Sequence, residues 1–337
     1  MKKKTVFCVI LWLMALCVCL ALCDRLMRRD DGARKYGPFF EDKQDYDVLF
    51  FGTSRVLDGV SPMELWRDYG ITSYNMGNSS ECLEVTEWVL RLSLEHHVPK
   101  VALIDVYYVD RNRYDAWAYP FRHMFFDEIP LSRSKVQAVR ATLPEYMHLE
   151  FLMPFSLYHG RWEEILSGQT ERMVDCEPFM MGSELRIGRV TPDMYPHTDD
   201  VWQEELPGHD ALRRIVSVCR ENGIEPVFLM LPAPISEQEQ MYVNSVAPLA
   251  QDLGVTFLDM RDLGVVDFYT DCYDWLGHLN PDGASKVTAY LGDWLKSRYD
   301  LEDKRTSEVS AYWNENLAQY EAFRKEQWGD MTLLEGT

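Results

Sequence analysis

An unbroken apolar run from Val6 to Cys23, eighteen residues without a charge, constrains this chain more than any other feature. A helix of about 20 residues crosses the ~30 Å hydrocarbon layer of a bilayer, so the run predicts one membrane crossing near the N-terminus. Lys2, Lys3 and Lys4 precede it as they would in a cleaved signal peptide. The apolar part of such a peptide is only about 7–15 residues long and ends on small residues. Here the run is longer and ends Leu20-Ala21-Leu22-Cys23, where Leu22 is also too bulky for a lipoprotein cleavage box, so an uncleaved anchor is expected. Arg25, Arg28, Arg29, Arg34 and Lys35 follow the run, and with basic residues on both sides the positive-inside count leaves the orientation open. A short basic N-tail favours a cytoplasmic N-terminus. Residues 1–35 then form tail, anchor and juxtamembrane segment in the cell membrane, with the bulk of the chain extracytoplasmic.

With 337 residues, 47% of them hydrophobic, the chain can bury a full core. The first 35 residues hold eight Lys and Arg against three Asp, so more than the whole net charge of −20 lies beyond them. A domain that acidic repels phosphates, which excludes nucleic acid as a partner. Cys8, Cys17, Cys19 and Cys23 sit in the apolar run, while Cys82, Cys176, Cys219 and Cys272 are scattered without C-x-x-C spacing, so no metal site is expected. Those four admit two disulfides or four buried thiols.

Beyond a polar stretch to about Gln44, short apolar runs alternate with helical patterns. Strands are predicted at 47–52, 71–76, 101–107, 226–231 and 256–260. Helices are predicted at 61–69, where Ser61, Pro62 and Glu64 spell an N-cap, a first-turn proline and a capping box, and at 81–97, 209–222, 236–253 and 281–298. This rhythm implies an α/β fold, a doubly wound parallel sheet covered on both faces in three layers, with its site at the carboxyl ends of the strands. From 110 to 207 it breaks into aromatic, Met-rich pieces, with one helix at 132–143, read as a large insertion within a domain spanning 36–305. Residues 306–337 are a polar tail with a helix at 307–327. No internal repeat is visible.

Ser54 ends the first strand in Gly52-Thr53-Ser54, where its side chain faces the crevice, but a serine becomes nucleophilic only beside a base. The segment Asp274-Trp275-Leu276-Gly277-His278-Leu279-Asn280 supplies a carboxylate and an imidazole just before the last long helix. One turn can set Asp274 on the Nδ1 side of His278 while Nε2 faces the serine. His123 and His159 sit among aromatics and are read as packed, hydrogen-bonded residues.

A strand ending in Gly-x-Ser, a Gly77-Asn78 turn after the second strand, and a late aspartate with His278-Leu279-Asn280 opening a helix together resemble the SGNH/GDSL hydrolase superfamily. The resemblance covers about Asp47 to Lys296 apart from the insertion. It is greatest to the membrane-anchored cell-envelope branch, such as the teichoic-acid D-alanyl transfer proteins and alginate O-acetyltransferases. It implies a flavodoxin-like sheet, Ser54 as nucleophile, His278 as general base and Asp274 as orienting acid. The N–H groups of Ser54 and Gly77 would form the oxyanion hole.

Three departures stand out. Asp274 precedes His278 by four residues where the family has three, so Asp271 is an alternative carboxylate. The third family block is replaced by Asp105-Val106-Tyr107-Tyr108-Val109-Asp110, removing an asparagine donor for which Asn78 or a tyrosine could substitute. Arg55 stands where the family has leucine; it could hold an anionic group, though a salt bridge to the acidic surface is the plainer expectation.

The resemblance implies a cofactor-free serine O-acyl (acetyl) esterase or acyltransferase. Its substrate would be cell-envelope polysaccharide or another acylated compound, and a membrane-bound acyltransferase is a candidate partner. The alternative is an inactive SGNH-like module that binds or scaffolds glycans, with Trp117, Tyr119, Phe125, Phe126 and Trp162 either stacking on sugars or filling a small core. Nucleotide binding is excluded by the lack of a Gly-x-Gly-x-x-Gly or Walker lysine.

Overall fold

The computed structural model describes residues 3–168 and 172–329; Met1, Lys2, residues 169–171 of the expected insertion and 330–337 of the expected tail lie outside them. Helix α1 (Lys3–Met27) buries none of its residues and is long and apolar enough to cross a membrane. Helix α2 (Asp31–Glu41) occupies the stretch read as a polar lead-in. Gly32, Gly37 and Pro38 disguise it in the sequence, but Tyr36, Phe39 and Lys35 are wholly buried, and that packing overrides weak intrinsic propensity. It runs across residue 36, where the sequence suggests the domain begins.

The chain then alternates through β1 (Val48–Phe51), α3 (Ser54–Gly59), α4 (Pro62–Tyr69), β2 (Ser73–Asn75), α5 (Leu83–Ser93) and β3 (Val101–Asp105). Ser61 caps α4 as expected, accepting from Glu64 N, but the capping box is only half made. The Glu64 carboxylate turns away to accept from Ser285 Oγ at 2.9 Å and Tyr320 OH at 2.8 Å.

The insertion carries α6 (Tyr119–Phe126), α7 (Arg133–Thr142), α8 (His148–Leu152), α9 (Phe155–Tyr158) and α10 (Trp162–Ser167). Its Phe126, Val139 and Phe151 join the main apolar cluster instead of forming a core of their own. The α/β order resumes with α11 (Pro207–Glu221), β4 (Glu225–Met230), α12 (Glu237–Asn244), α13 (Val246–Leu253), β5 (Thr256–Asp259), α14 (Pro281–Arg298) and α15 (Ser310–Gly329). The single helix expected at 236–253 divides at Ser245, because Pro248 has no N–H to offer the carbonyl of Asn244.

All five strands are parallel, in the order β2-β1-β3-β4-β5. Both faces are covered, as continuous apolar strands require. Leu49, Phe51, Ile104 and Phe228 enter one cluster with Val89 of α5 and Leu212 and Ile215 of α11. Val48, Phe50, Leu103 and Leu229 enter the other with Val287, Leu291 and Leu295 of α14. Helix α15 packs against α4, its Trp313 ring 5.3 Å from that of Trp66. Cys82, Cys176, Cys219 and Cys272 are buried free thiols, so neither disulfide forms.

Candidate active site

Ser54 is placed by the bend that ends β1. Gly52 has φ +143, and a Cβ there would fall 2.3 Å from Asp105 Cβ, so only glycine lets β1 end against β3. Thr53 then caps α3, a short helix beyond those expected from the sequence. Its N and Oγ1 both donate to Asp105 Oδ2, at 3.1 and 2.6 Å. Burial raises the Asp105 pKa, and these bonds with that from Tyr107 N partly offset it.

From the other side, Asn75 of β2 holds α3 in place. Its Nδ2 donates to Val56 O at 2.7 Å and Val60 O at 2.9 Å, and its Oδ1 accepts from Gly77 N at 3.0 Å. A Cβ on Gly77 would lie 2.7 Å from Leu57 N, so this glycine serves the close approach of the 75–77 turn to α3.

The histidine is fixed from the start of α14. Asn280 Oδ1 accepts from the N–H groups of Asp282 and Gly283, and its Nδ2 donates to Gly188 O and Thr270 O. Asn280 N donates to Asp271 O and Tyr273 N to His278 O, closing a narrow antiparallel loop around 272–279. Within it Asp274 Oδ1 accepts from the backbone N–H groups of Leu276 and His278, at 3.0 and 3.1 Å.

These two constructions bring Ser54, His278 and Asp274 together. Ser54 Oγ lies 2.8 Å from His278 Nε2, and His278 Nδ1 lies 2.8 Å from Asp274 Oδ2. An ionised carboxylate can only accept, so Nδ1 carries the proton and Nε2 is left to accept from the serine. Burial opposes ionisation of Asp274, but its bonds from His278 and the two amides prevail and lower its pKa. Asp271, the alternative carboxylate, is elsewhere: its oxygens take Lys286 Nζ at 2.6 and 2.9 Å.

The oxyanion assignment needs correction. The N–H of Gly77 is committed to Asn75, and Asn78 Nδ2 donates to Phe121 O at 2.9 Å. The Ser54 N–H, at the first position of α3, has no intramolecular partner among the described residues. Arg55 also departs from expectation, making no salt bridge among the described residues. It is buried, stacks its guanidinium 4.2 Å from the centre of the Tyr107 ring, and donates to the carbonyls of Gly277 and Leu276 at 3.4 and 3.3 Å. Arg55 thus ties the serine helix to the histidine loop.

Other side chains around the site escaped the sequence reading. Tyr273 stacks on His278, ring centres 5.7 Å apart and planes at 18°, and its hydroxyl donates to Asp58 Oδ2 at 3.0 Å. Burial, with the charge of neighbouring Glu184, pushes the Asp58 pKa well up. Behind Tyr273 opens a cavity of about 470 Å³, lined also by Arg172, Asp175, Arg186, Ile187 and Phe323. Asn75 and Asp105 lay inside predicted strands, where nothing in sequence separates a site-supporting polar residue from a chance one. His123 is a packed residue as expected, between Asp127 and Glu150, whereas His159 is exposed, though its Nδ1 lies 2.9 Å from Ser156 O and its ring 6.2 Å from that of Phe155. Phe125, Phe126 and Tyr119 are buried in the core, while Trp117 and Trp162 are exposed.

No family model and no curated protein matches the chain. Among solved structures, a structural-genomics protein from Lactobacillus plantarum aligns with 77% of this chain and 100% of its own, at 12% identity and a TM-score of 0.38. At that TM-score the likeness bears on neither fold nor function.

Proposed function

We propose that this chain is a membrane-anchored serine O-acyl esterase or acyltransferase of SGNH type, acting on cell-envelope polymers from the extracytoplasmic side. Its sheet is read as doubly wound and flavodoxin-like. One observation carries the reading: Ser54, His278 and Asp274 are linked in series by two 2.8 Å contacts at the carboxyl edge of the sheet. Ser54 Oγ attacks the ester carbonyl carbon as His278 Nε2 takes its proton, and His278 returns that proton to the departing alkoxide. Water or a sugar hydroxyl then gives its proton to His278 and attacks the acyl-serine, and His278 passes that proton to Ser54 Oγ as the acyl–serine bond breaks, restoring both residues. The Ser54 N–H would face the developing oxyanion, and Asp274 holds the imidazole in the required tautomer.

The engaged amides of Gly77 and Asn78 favour a second reading, a glycan-binding module with little turnover. Hydrolysis of a chromogenic acetyl ester by the full chain in detergent separates the two. Turnover that disappears in both Ser54→Ala and His278→Ala supports the enzyme. Folded protein with no turnover, but with saturable binding of envelope polysaccharide, supports the module.

A further inference from the structure

Helix α1 stands clear of the domain: every residue from Lys3 to Cys23 is exposed, and partial burial begins at Asp24. The domain grips it in its last turn. Arg161 Nη1 donates to Met27 O at 2.8 Å, Arg28 donates to Asp127 O, and α9 packs against α1. Met27 lies four residues past the end of the apolar run, so at 1.5 Å per residue the Arg161 contact sits about 6 Å outside it. The polar layer on each side of a bilayer is about 5–7 Å deep, half the difference between its ~40–45 Å thickness and its ~30 Å core. With α1 across the membrane, the start of α10 therefore lies at the depth of the headgroups.

The side chains there suit that depth. Helix α10 buries no residue, and Trp162, Ile165 and Leu166, at i, i+3 and i+4, make one apolar face that is 51, 39 and 80% exposed. Leu149, Met153 and Leu157, along α8 and α9, are 63, 53 and 42% exposed. Six large apolar side chains exposed between residues 149 and 166 exceed the scattered exposure ordinary on a soluble surface. Tryptophan concentrates at membrane–water interfaces. Arg25, exposed near the exit of α1, provides a cation for lipid phosphates. By helical geometry Glu164 lies opposite the apolar face of α10, paired with Arg161 at 2.8 Å, and Glu163 flanks that face.

We infer that α8, α9 and α10 form an interfacial collar whose apolar side chains rest among lipid headgroups and upper acyl chains beside α1, setting the height and tilt of the site over the membrane. This rests on reading α1 as a membrane span. In the test, a nitroxide is placed singly at Leu157→Cys, Leu166→Cys, Leu11→Cys in α1 or Glu237→Cys at an exposed position of α12, in the full chain with Cys8, Cys17, Cys19 and Cys23 changed to alanine; the four remaining cysteines are buried. The chain is reconstituted into phosphatidylcholine–phosphatidylglycerol vesicles. Collision with oxygen, which partitions into lipid, is compared with collision with a water-soluble nickel chelate. The expected oxygen-to-nickel ratio at 157 and 166 is severalfold above that at 237. A ratio equal to that at 237, with 11 lipid-like, overturns the collar and leaves the anchor. A water-like ratio at 11 overturns the anchor and the collar with it. Shielding of 157 and 166 from both reagents means that protein covers the face, and overturns lipid as its occupant.

Discussion

At the scale of single residues, the two aspartates near His278 make opposite predictions. Asp274→Asn keeps the shape but removes the charge that holds the Nδ1 tautomer, so kcat on an acetyl ester is expected to fall by roughly 10⁴, as loss of a triad carboxylate does elsewhere. Asp271→Asn loses the charge of its ion pair with Lys286, lowering the thermal midpoint while leaving kcat within a few-fold. Steady-state kinetics with thermal melts on both variants checks the pair, and a large kcat loss in Asp271→Asn would contradict the assignment. Gly77→Ala forces a Cβ to 2.7 Å from Leu57 N, so it costs about 1–3 kcal/mol by overpacking, read from chemical denaturation. Ser54 and His278 were legible as candidates because nucleophile and base come from distinctive residue types at strand and helix ends. The commitment of the Gly77 amide to Asn75 was not, because glycine looks the same in sequence whether a ligand or a neighbouring backbone needs its space.

At the scale of elements, α3 carries Ser54 but is only six residues long, too short to hold itself. Its position depends on Asn75 and Asp105, one from each strand flanking β1. Asn75→Ala leaves the carbonyl of Val60 and the N–H of Gly77 without the Asn75 amide, both in buried surroundings, at a cost of about 1–3 kcal/mol for each group left unsatisfied, while Val56 O keeps its bond from Val60 N. The expected result is a lowered melting temperature, and in the surviving folded protein a kcat loss larger than any change in KM. Helices with strong caps were read to the residue, as with Pro281–Arg298 behind Asn280. Helix α2 was hidden because burial of Tyr36, Phe39 and Lys35 decides it, and burial is set by distant parts of the chain.

At the scale of the whole molecule, α2 links the apolar helix α1 to the residues that support the site. Lys35 Nζ donates to Asn75 O at 3.1 Å and also to Gly182 O, so a chain beginning at residue 36 loses this contact and the first half of the helix. Such a chain should melt several degrees below one beginning at residue 29; equal melting temperatures would show that the contact adds nothing. Wholly buried Glu81 sets a pH dependence: burial, more than any neighbouring charge, raises its pKa from 4.5 to about 8. The folded state holds this proton more tightly than the unfolded chain, so its contribution to stability is full below pH 4.5 and is lost as pH rises to and through about 8. Thermal melts should show Glu81→Gln flattening that decline, so that the variant gains on the parent at pH 8 relative to pH 5. Apolar runs, caps and breakers by themselves determined the membrane-length helix, the five parallel strands and most of the long helices, because those signals act within a few residues. The choice of Asp274 over Asp271, the clamp by Arg55 and the pairing of Tyr273 with His278 were decided only by tertiary structure. Each depends on hydrogen-bond partners more than two hundred residues apart or on a loop whose shape is set by its neighbours, and local sequence does not encode such distances.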